Sequence, residues 1–318
     1  MLDKRAAQQR VSILGPKIEV SFPVKRLREA PAPTRRYRRY LGSMERDRRA
    51  WHLNCGPLGR AGMVTIGGDR FCHRSRRQRG ERAMAERKVA VITGASKGIG
   101  AALAKAYRER GYRVVATARS IKPWDDDDVL AVPGDIADRS TAMRVISEGV
   151  TRFGRIDALV NNAGIFIAKP FTRCSEADYA AIVGVNLTGF FHITQLAVAE
   201  MERRGGGHVV QITTTLVDHA NSGVPSVLAS LTKGGLAAAT RSLAIEYARR
   251  GIRVNAVSPG VIKTPMHPRE THTALDALHP VGRMGEISDI VDAVLYLESA
   301  PFVTGEILHV DGGQSAGH

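Results

Sequence analysis

Hydrophobic positions from residue 88 onward follow two alternating rhythms. Short, nearly unbroken apolar runs rich in Val and Ile occupy residues 88–93, 112–117, 129–133, 156–161, 208–213, 252–257 and 307–310. Runs of that length without polar alternation predict strands buried on both faces. Longer stretches of helix formers separate them, at 101–110, 140–152, 175–204, 227–249 and 286–298, and the one at 175–204 is expected to break near Gly184. The 286–298 stretch places Ile287, Ile290, Val291, Val294 and Leu295 on one helical face. Strand and helix in strict alternation predict a doubly wound α/β domain with a parallel sheet, whose ligand lies at the carboxyl ends of the strands.

The turn after the first predicted strand reads Thr93-Gly94-Ala95-Ser96-Lys97-Gly98-Ile99-Gly100. A strand, a glycine turn and a helix start form the setting in which glycines bind phosphate. Unpaired N–H groups and the positive end of the helix dipole face the anion, and glycine lets it approach the backbone. The spacing is G-x-x-x-G-x-G, without the Lys-Ser/Thr ending of an ATP-binding loop. Taken alone, the cluster could equally be a tight turn.

Composition divides the chain near Met84. Residues 1–83 carry 21 Lys and Arg against 7 Asp and Glu, whereas the remainder is close to neutral although the whole chain has a formal charge of +15. The first segment has Arg clusters, Pro-flanked pieces and no sustained apolar periodicity, so it is expected to be a disordered basic extension. Three readings are open: a basic arm for nucleic acid or an anionic surface, a transit peptide, or upstream sequence included by too early a start. Met84-Ala85-Glu86-Arg87-Lys88 leads straight into the first strand and favours the third. The domain is then expected to span residues 84–318.

Cys55 and Cys72, with His52 and His73, allow a zinc site to be drawn, but their spacing is not finger-like. Three scattered cysteines suggest a reducing compartment. No secretory signal or uninterrupted 18-residue apolar run is apparent, so the cytoplasm is the default and no membrane is expected. Asp125 to Asp128 suits a solvated turn better than an oxygen cage for a metal.

Six segments in order then resemble the short-chain dehydrogenase/reductase family. They are the glycine turn at 93–100, Gly134-Asp135-Ile136, Asn161-Asn162-Ala163-Gly164, Val185-Asn186, Arg253 to Gly260, and Val310-Asp311-Gly312-Gly313. The resemblance covers residues 87 to about 313 and implies a Rossmann fold, a nicotinamide dinucleotide, a small carbonyl or alcohol substrate, and a homotetramer or homodimer. It assigns cofactor contacts to Gly94, Ser96, Lys97, Gly98, Ile99, Gly100, Asp135, Ile136, Asn162, Ala163, Gly164 and Lys233, and to Pro259, Gly260, Ile262 and Thr264 for the carboxamide. Residues 266–279 would form a substrate lid, with His267, His272 and His279 exposed or touching substrate. Ala237, Ala238 and Ala239 would suit packing on a second copy.

Coenzyme choice has a physical basis. NAD-selecting folds place an acid after the second strand to hold the ribose 2′-hydroxyl, whereas a nearby Arg accommodates a 2′-phosphate. That strand ends Ala118-Arg119-Ser120, with no acid. Arg119 and Lys97 therefore favour NADP(H), with NAD(H) as the alternative.

The chemistry departs from the family. Its members use Asn, Ser, Tyr and, four residues after the Tyr, Lys. Here Asn186 and Lys233 match, Thr214 stands for the Ser, and Ala229 occupies the Tyr position. Ser230, His219 or a water chain through Asn186 and Lys233 could replace the phenol, or the substrate could bring its own acid. The expected activity is hydride transfer between a nicotinamide and a carbonyl or alcohol. The alternatives are a non-catalytic NADP(H)-binding regulator or partner subunit and, more remotely, a nucleic-acid binder acting through the basic arm.

Overall fold

The computed structural model describes residues 87–317. The basic extension, the possible zinc ligands and the proposed boundary at Met84 lie outside them. Seven strands form one parallel sheet in the order β3-β2-β1-β4-β5-β6-β7. They are β1 (Val89–Thr93), β2 (Arg113–Ala118), β3 (Val129–Pro133), β4 (Ala158–Asn161), β5 (Gly207–Ile212), β6 (Ile252–Pro259) and β7 (Ile307–Val310). Strand order reverses between β1 and β4, and a crevice opens at such a reversal because successive crossovers leave in opposite directions.

Each face of the sheet carries its own core. On one, α1 (Gly98–Glu109) and α7 (Ile287–Ser299) bury Leu103, Tyr107, Ile290 and Val294 against Ile92, Val114 and Val257. On the other, α2 (Arg139–Phe153), α4 (Phe190–Arg204) and α5 (Val227–Tyr247) cover Val91, Val115, Leu159 and Val254. Helix starts follow local chemistry. Asp138 accepts from Ser140 N at the start of α2, and Ser175 and Asp178 form a reciprocal capping box at α3 (Glu176–Val183).

The expected break at Gly184 is a π-helical segment, Gly184–Gly189, joining α3 to α4. Glycine is required at its end: a Cβ on Gly189 would lie 2.9 Å from Ile136 Cγ2. By length and hydropathy alone, the continuous stretch Glu176–Arg204 is apolar enough to cross a membrane, a property the search for an unbroken apolar run missed. In the fold Ile193, Ala197, Val198 and Met201 of this stretch are buried in the second core.

Two expectations change here. Asp125 to Asp128 is less a solvated turn than an arginine-binding corner. Asp128 takes a two-pronged bond from Arg87 and a contact from Arg108, which also holds Asp126. Of the three alanines on α5, Ala237 faces the core and Ala238 is exposed.

At the amino end of β5 a polar knot ties α7 to the sheet. The buried Glu298 carboxylate accepts from His208 Nδ1 (2.8 Å), Tyr112 Oη (2.7 Å) and Tyr107 Oη (3.3 Å). Burial holds the imidazole below its ordinary pKa and both phenols above theirs. The pair is thus a neutral histidine donating to a carboxylate, with His208 Nε2 accepting from Asn255 Nδ2. Removing the acceptor strands three buried donors. Glu298→Ala should lower unfolding free energy by about 3 kcal/mol in urea denaturation, with Glu298→Gln losing less because its amide oxygen still accepts.

Candidate functional site

The family-assigned residues gather at the carboxyl ends of β1, β3, β4, β5 and β6, around the strand reversal. A residue that the sequence reading left without a role, Thr93, makes the central tie. Its buried hydroxyl accepts from Asn162 N (3.0 Å) and Ala163 N (2.9 Å) and donates to Val160 O (3.3 Å). Asn162 Nδ2 returns to Thr93 O at 2.9 Å and Gly94 O at 3.2 Å. A β1 residue ending in a hydroxyl, opposite Asn-Asn after β4, was the available signal.

The glycine turn is too tight for side chains. Gly94 has φ +67°, and its Cβ would sit 2.9 Å from Ala163 Cα; a Cβ on Gly100 would sit 2.3 Å from Gly94 O. Gly98, at φ +58°, opens α1 and faces Thr264, whose Cβ would be 3.7 Å from an added methyl. No side chain caps α1, and Ser96 and Lys97 are exposed before it. Arg119 is exposed just beyond β2, while Thr117 Oγ1 inside that strand end is buried without a partner. Asp135 is exposed and bonds Ala137 N; Ile136 beside it is buried against Gly189. Arg119 and Asp135 are both exposed.

A second group lies deeper. Asn186, in the π-helical segment, accepts from Ile165 N (2.9 Å) and donates to Ile165 O and Thr232 Oγ1 (both 3.1 Å). Both amide protons are thereby spent on holding the β4 loop to α5. The π turn, read only as a helix break in the sequence, is what aims this side chain inward. Lys233 Nζ donates to Ile212 O at 2.6 Å, and a methyl on Gly164 would meet it at 3.1 Å and Asn186 Oδ1 at 3.3 Å. The lysine is 9% exposed and has no carboxylate partner among the described residues. Burial alone brings its pKa down to about 8.

The three threonines after β5 have separate fates. Thr213 donates to Val257 O, and Thr215 to Asp311 Oδ2 at 2.8 Å. Thr214 Oγ1 accepts from Leu216 N and, among the described residues, has no hydrogen-bond acceptor. Asp311 also accepts from Gly313 N and Ser315 N, so it fastens the chain end to this run. Ala229, one turn before Lys233, is buried with Ile182 and Leu228 against Ile165 and Ile167. Ser230 gives its hydroxyl proton to Leu216 O.

The lid expectation is corrected at the histidines, none of which is fully exposed. His279 is buried, its Nε2 accepting from Val261 N and its Nδ1 lying 3.0 Å from Leu275 O. His267 Nδ1 reaches Ile262 O, and His272 Nε2 reaches His267 O. They staple residues 266–279, which include α6 (His272–Asp276), to the loop after β6. That loop is itself fixed: Pro259 and Ile262 are buried, a Cβ on Gly260 would strike His279, and Ile262 bridges Gly285. Among the described residues no three His, Cys, Asp or Glu side chains form a metal-binding group.

An uncapped helix start, exposed Lys97 and Arg119, an orphaned threonine hydroxyl and an ammonium without a counter-ion form a donor set suited to a phosphate-bearing dinucleotide. A family profile described as enoyl-(acyl carrier protein) reductase matches residues 94–315. The chain belongs to the short-chain dehydrogenase/reductase family. A 3-oxoacyl-[acyl-carrier-protein] reductase from Thermotoga maritima is 36% identical over 243 residues, covering 72% of this chain and 98% of that protein. Among solved structures, ElxO with NADP bound superimposes with TM-score 0.69 at 27% identity, covering 73% of this chain and 100% of that one. A 3-ketoacyl-(acyl-carrier-protein) reductase from Brucella melitensis complexed with NADH gives 0.68 at 30%, covering 73% and 99%.

The buried ammonium has a measurable consequence. Unfolded, Lys233 keeps its proton to about 10.5; folded, it loses it near 8. Between those values the unfolded state binds more protons, so this group's contribution to stability rises with pH; below them it is a constant penalty of at most about 3 kcal/mol. Lys233→Met removes the penalty but strands the Ile212 carbonyl, which costs about 1–2 kcal/mol. The coenzyme-free variant should be about 1–2 kcal/mol more stable than wild type in urea at pH 7. That advantage should vanish by pH 10.

Proposed function

We propose that this protein is an NADP(H)-preferring oxidoreductase that interconverts a carbonyl and an alcohol with an active site lacking the family phenol. The observation that carries this reading is Lys233, an ammonium buried without a counter-ion between the Ile212 carbonyl and Gly164. A polar ligand would offset the desolvation that the fold leaves uncompensated. The bound nicotinamide would supply or accept hydride.

The remaining roles belong to the chain. Gly94, Ser96, Gly98, Ile99 and Gly100 present backbone to the pyrophosphate, and Lys97 and Arg119 meet a 2′-phosphate from the rim. Asp135 and Ile136 border the adenine side; Asn162, Ala163 and Gly164 floor the nicotinamide side. Pro259, Gly260, Ile262 and Thr264 hold the carboxamide edge. Thr214 has the unspent hydroxyl proton and orients the substrate oxygen, while Asn186 positions the loop through Ile165. The same reading carries cytoplasmic residence and a homodimer or homotetramer, in which the exposed Val227, Leu231 and Ile245 of α5 would be covered.

One observation favours a second reading, a dinucleotide-binding regulator without turnover: Ala229 is embedded in an apolar cluster and no phenol replaces it. Calorimetric titration of the full chain with NADPH and NADH, followed by assay on cyclohexanone, benzaldehyde, 9,10-phenanthrenequinone and acetoacetyl-N-acetylcysteamine, separates them. The enzyme reading expects binding and NADPH oxidation with at least one carbonyl; tight binding with none supports the regulator, and no binding of either coenzyme rejects both.

Coenzyme preference is tested at the β2 end. Arg119→Asp removes a cation and places a carboxylate beside the ribose. It should weaken NADPH at least about tenfold, while NADH binding holds or improves.

A further inference from the structure

We infer that Lys233 is the proton donor of the reaction, its ammonium taking over the task that the phenol performs elsewhere in the family; this rests on the oxidoreductase reading above. The i, i+4 relation on α5 puts position 229 and Lys233 on one helical face. Ala229 ends that face at Cβ and carries no titratable proton. Among the described residues Lys233 Nζ hydrogen-bonds to Ile212 O, and it faces Gly164, which has no side chain to cover it. An ammonium has three N–H bonds, so two protons remain to point at a ligand. The other hydroxyls along this helix start are committed, Ser230 to Leu216 O and Thr232 to Leu228 O.

The charge environment permits the role. Charged and titratable groups on the elements packed against α5 are directed elsewhere: His208 of β5 to Glu298, Arg253 of β6 to the carbonyls of Leu297 and Glu298, Asp178 of α3 to Lys169, and Asp218 to His309. Glu176 at the start of α3 is exposed, as are Arg241 and Glu246 on α5 itself, and His219 lies just beyond the threonine run. No ionised neighbour contributes to the Lys233 shift; burial brings it to about 8, close to the value suited to a general acid near neutral pH.

The step balances. A bound reduced nicotinamide would supply hydride, whose electron pair forms the new C–H bond at the carbonyl carbon and leaves the nicotinamide oxidised. The carbonyl oxygen gains the proton as one N–H bond of Lys233 breaks, leaving a neutral amine that solvent reprotonates. Thr214 steadies the oxygen, and Lys233 supplies the proton directly or through one water.

The test uses the full chain and whichever probe carbonyl it reduces fastest. Lys233 is titrated independently of activity, by the pH dependence of its competitive acetylation, read by mass spectrometry. The inference expects a labelling midpoint near 8 and a single-turnover NADPH oxidation rate falling tenfold per pH unit above the same midpoint. Lys233→Arg keeps the cation but cannot release a proton at these pH values. It should still bind NADPH, reduce at least 100-fold more slowly, and show no break near 8. Ala229→Tyr, which restores a phenol, should move the break away from the Lys233 labelling midpoint. A wild-type rate flat through that midpoint overturns the inference, as does a labelling midpoint near 10.5. So does a Lys233→Arg variant that keeps its rate. Failure to bind NADPH, or to reduce any probe at any pH, removes the oxidoreductase reading and this inference with it; turnover without the coincident break removes this inference alone.

Discussion

The site depends on the seam between β1 and β4, where one threonine hydroxyl takes two backbone protons and gives its own to Val160 O. Parallel strands pair along their length but have nothing to pair at their carboxyl ends, where each chain must turn away toward its helix. At the reversal point two chains turn in opposite directions, leaving backbone groups exposed together. Thr93 and Asn162 satisfy enough of them to keep the Gly94 turn narrow, so the start of α1 remains without a side-chain cap. A wider turn would let a side chain fold back onto those N–H groups, and the place for a phosphate would close.

The deeper half is organised by a similar economy of donors. Asn186 spends its amide on Ile165 and Thr232, Thr213 and Thr215 spend their hydroxyls on Val257 and Asp311, and the lid histidines reach Ile262, His267 and Leu275. Buried polar groups are costly unless paired. Among the described residues the buried Thr117 and Ser258 hydroxyls and the Gln211 amide lack partners, and the proposed function draws on two further groups with protons to spare, Thr214 and the Lys233 ammonium.

Much of this architecture was legible in the chain. Seven short apolar runs separated by helix formers define the parallel sheet, and the predicted limits of Val129–Pro133 and Ile307–Val310 match the observed strands. The tight turn was legible in its glycines: a Cβ on Gly94 or Gly100 would clash, and Gly94 and Gly98 hold positive φ. Less legible were features created by long-range partners. Thr93 reads as one more β-branched strand residue until Asn162 is opposite it. The lid histidines read as exposed polar residues until each finds a backbone partner, and Asp128 reads as part of a solvated run until Arg87 and Arg108 converge on it. The π turn around Asn186 is also invisible to periodicity, since one extra residue per turn hardly disturbs a pattern already interrupted by glycines.

Ala229 stands where the family resemblance expects a phenol, and its packing bears on how the proposed function would work without one. A phenol at that position is useful because a neighbouring cation lowers its pKa; by itself it is a weak base near neutral pH. The cation is thus the costly half of the pair, because it must be held in a poorly solvated place. This chain retains that half: Lys233 is buried, its Ile212 anchor is in place, and the Asn186 brace beside it is complete. Ala229 packs among Ile182, Leu228, Ile165 and Ile167. Apolar walls of that kind strip water from an ammonium and make it a stronger acid. Under the proposed function, an apolar residue at position 229 would therefore preserve, and on physical grounds strengthen, the conditions under which Lys233 serves as the proton donor.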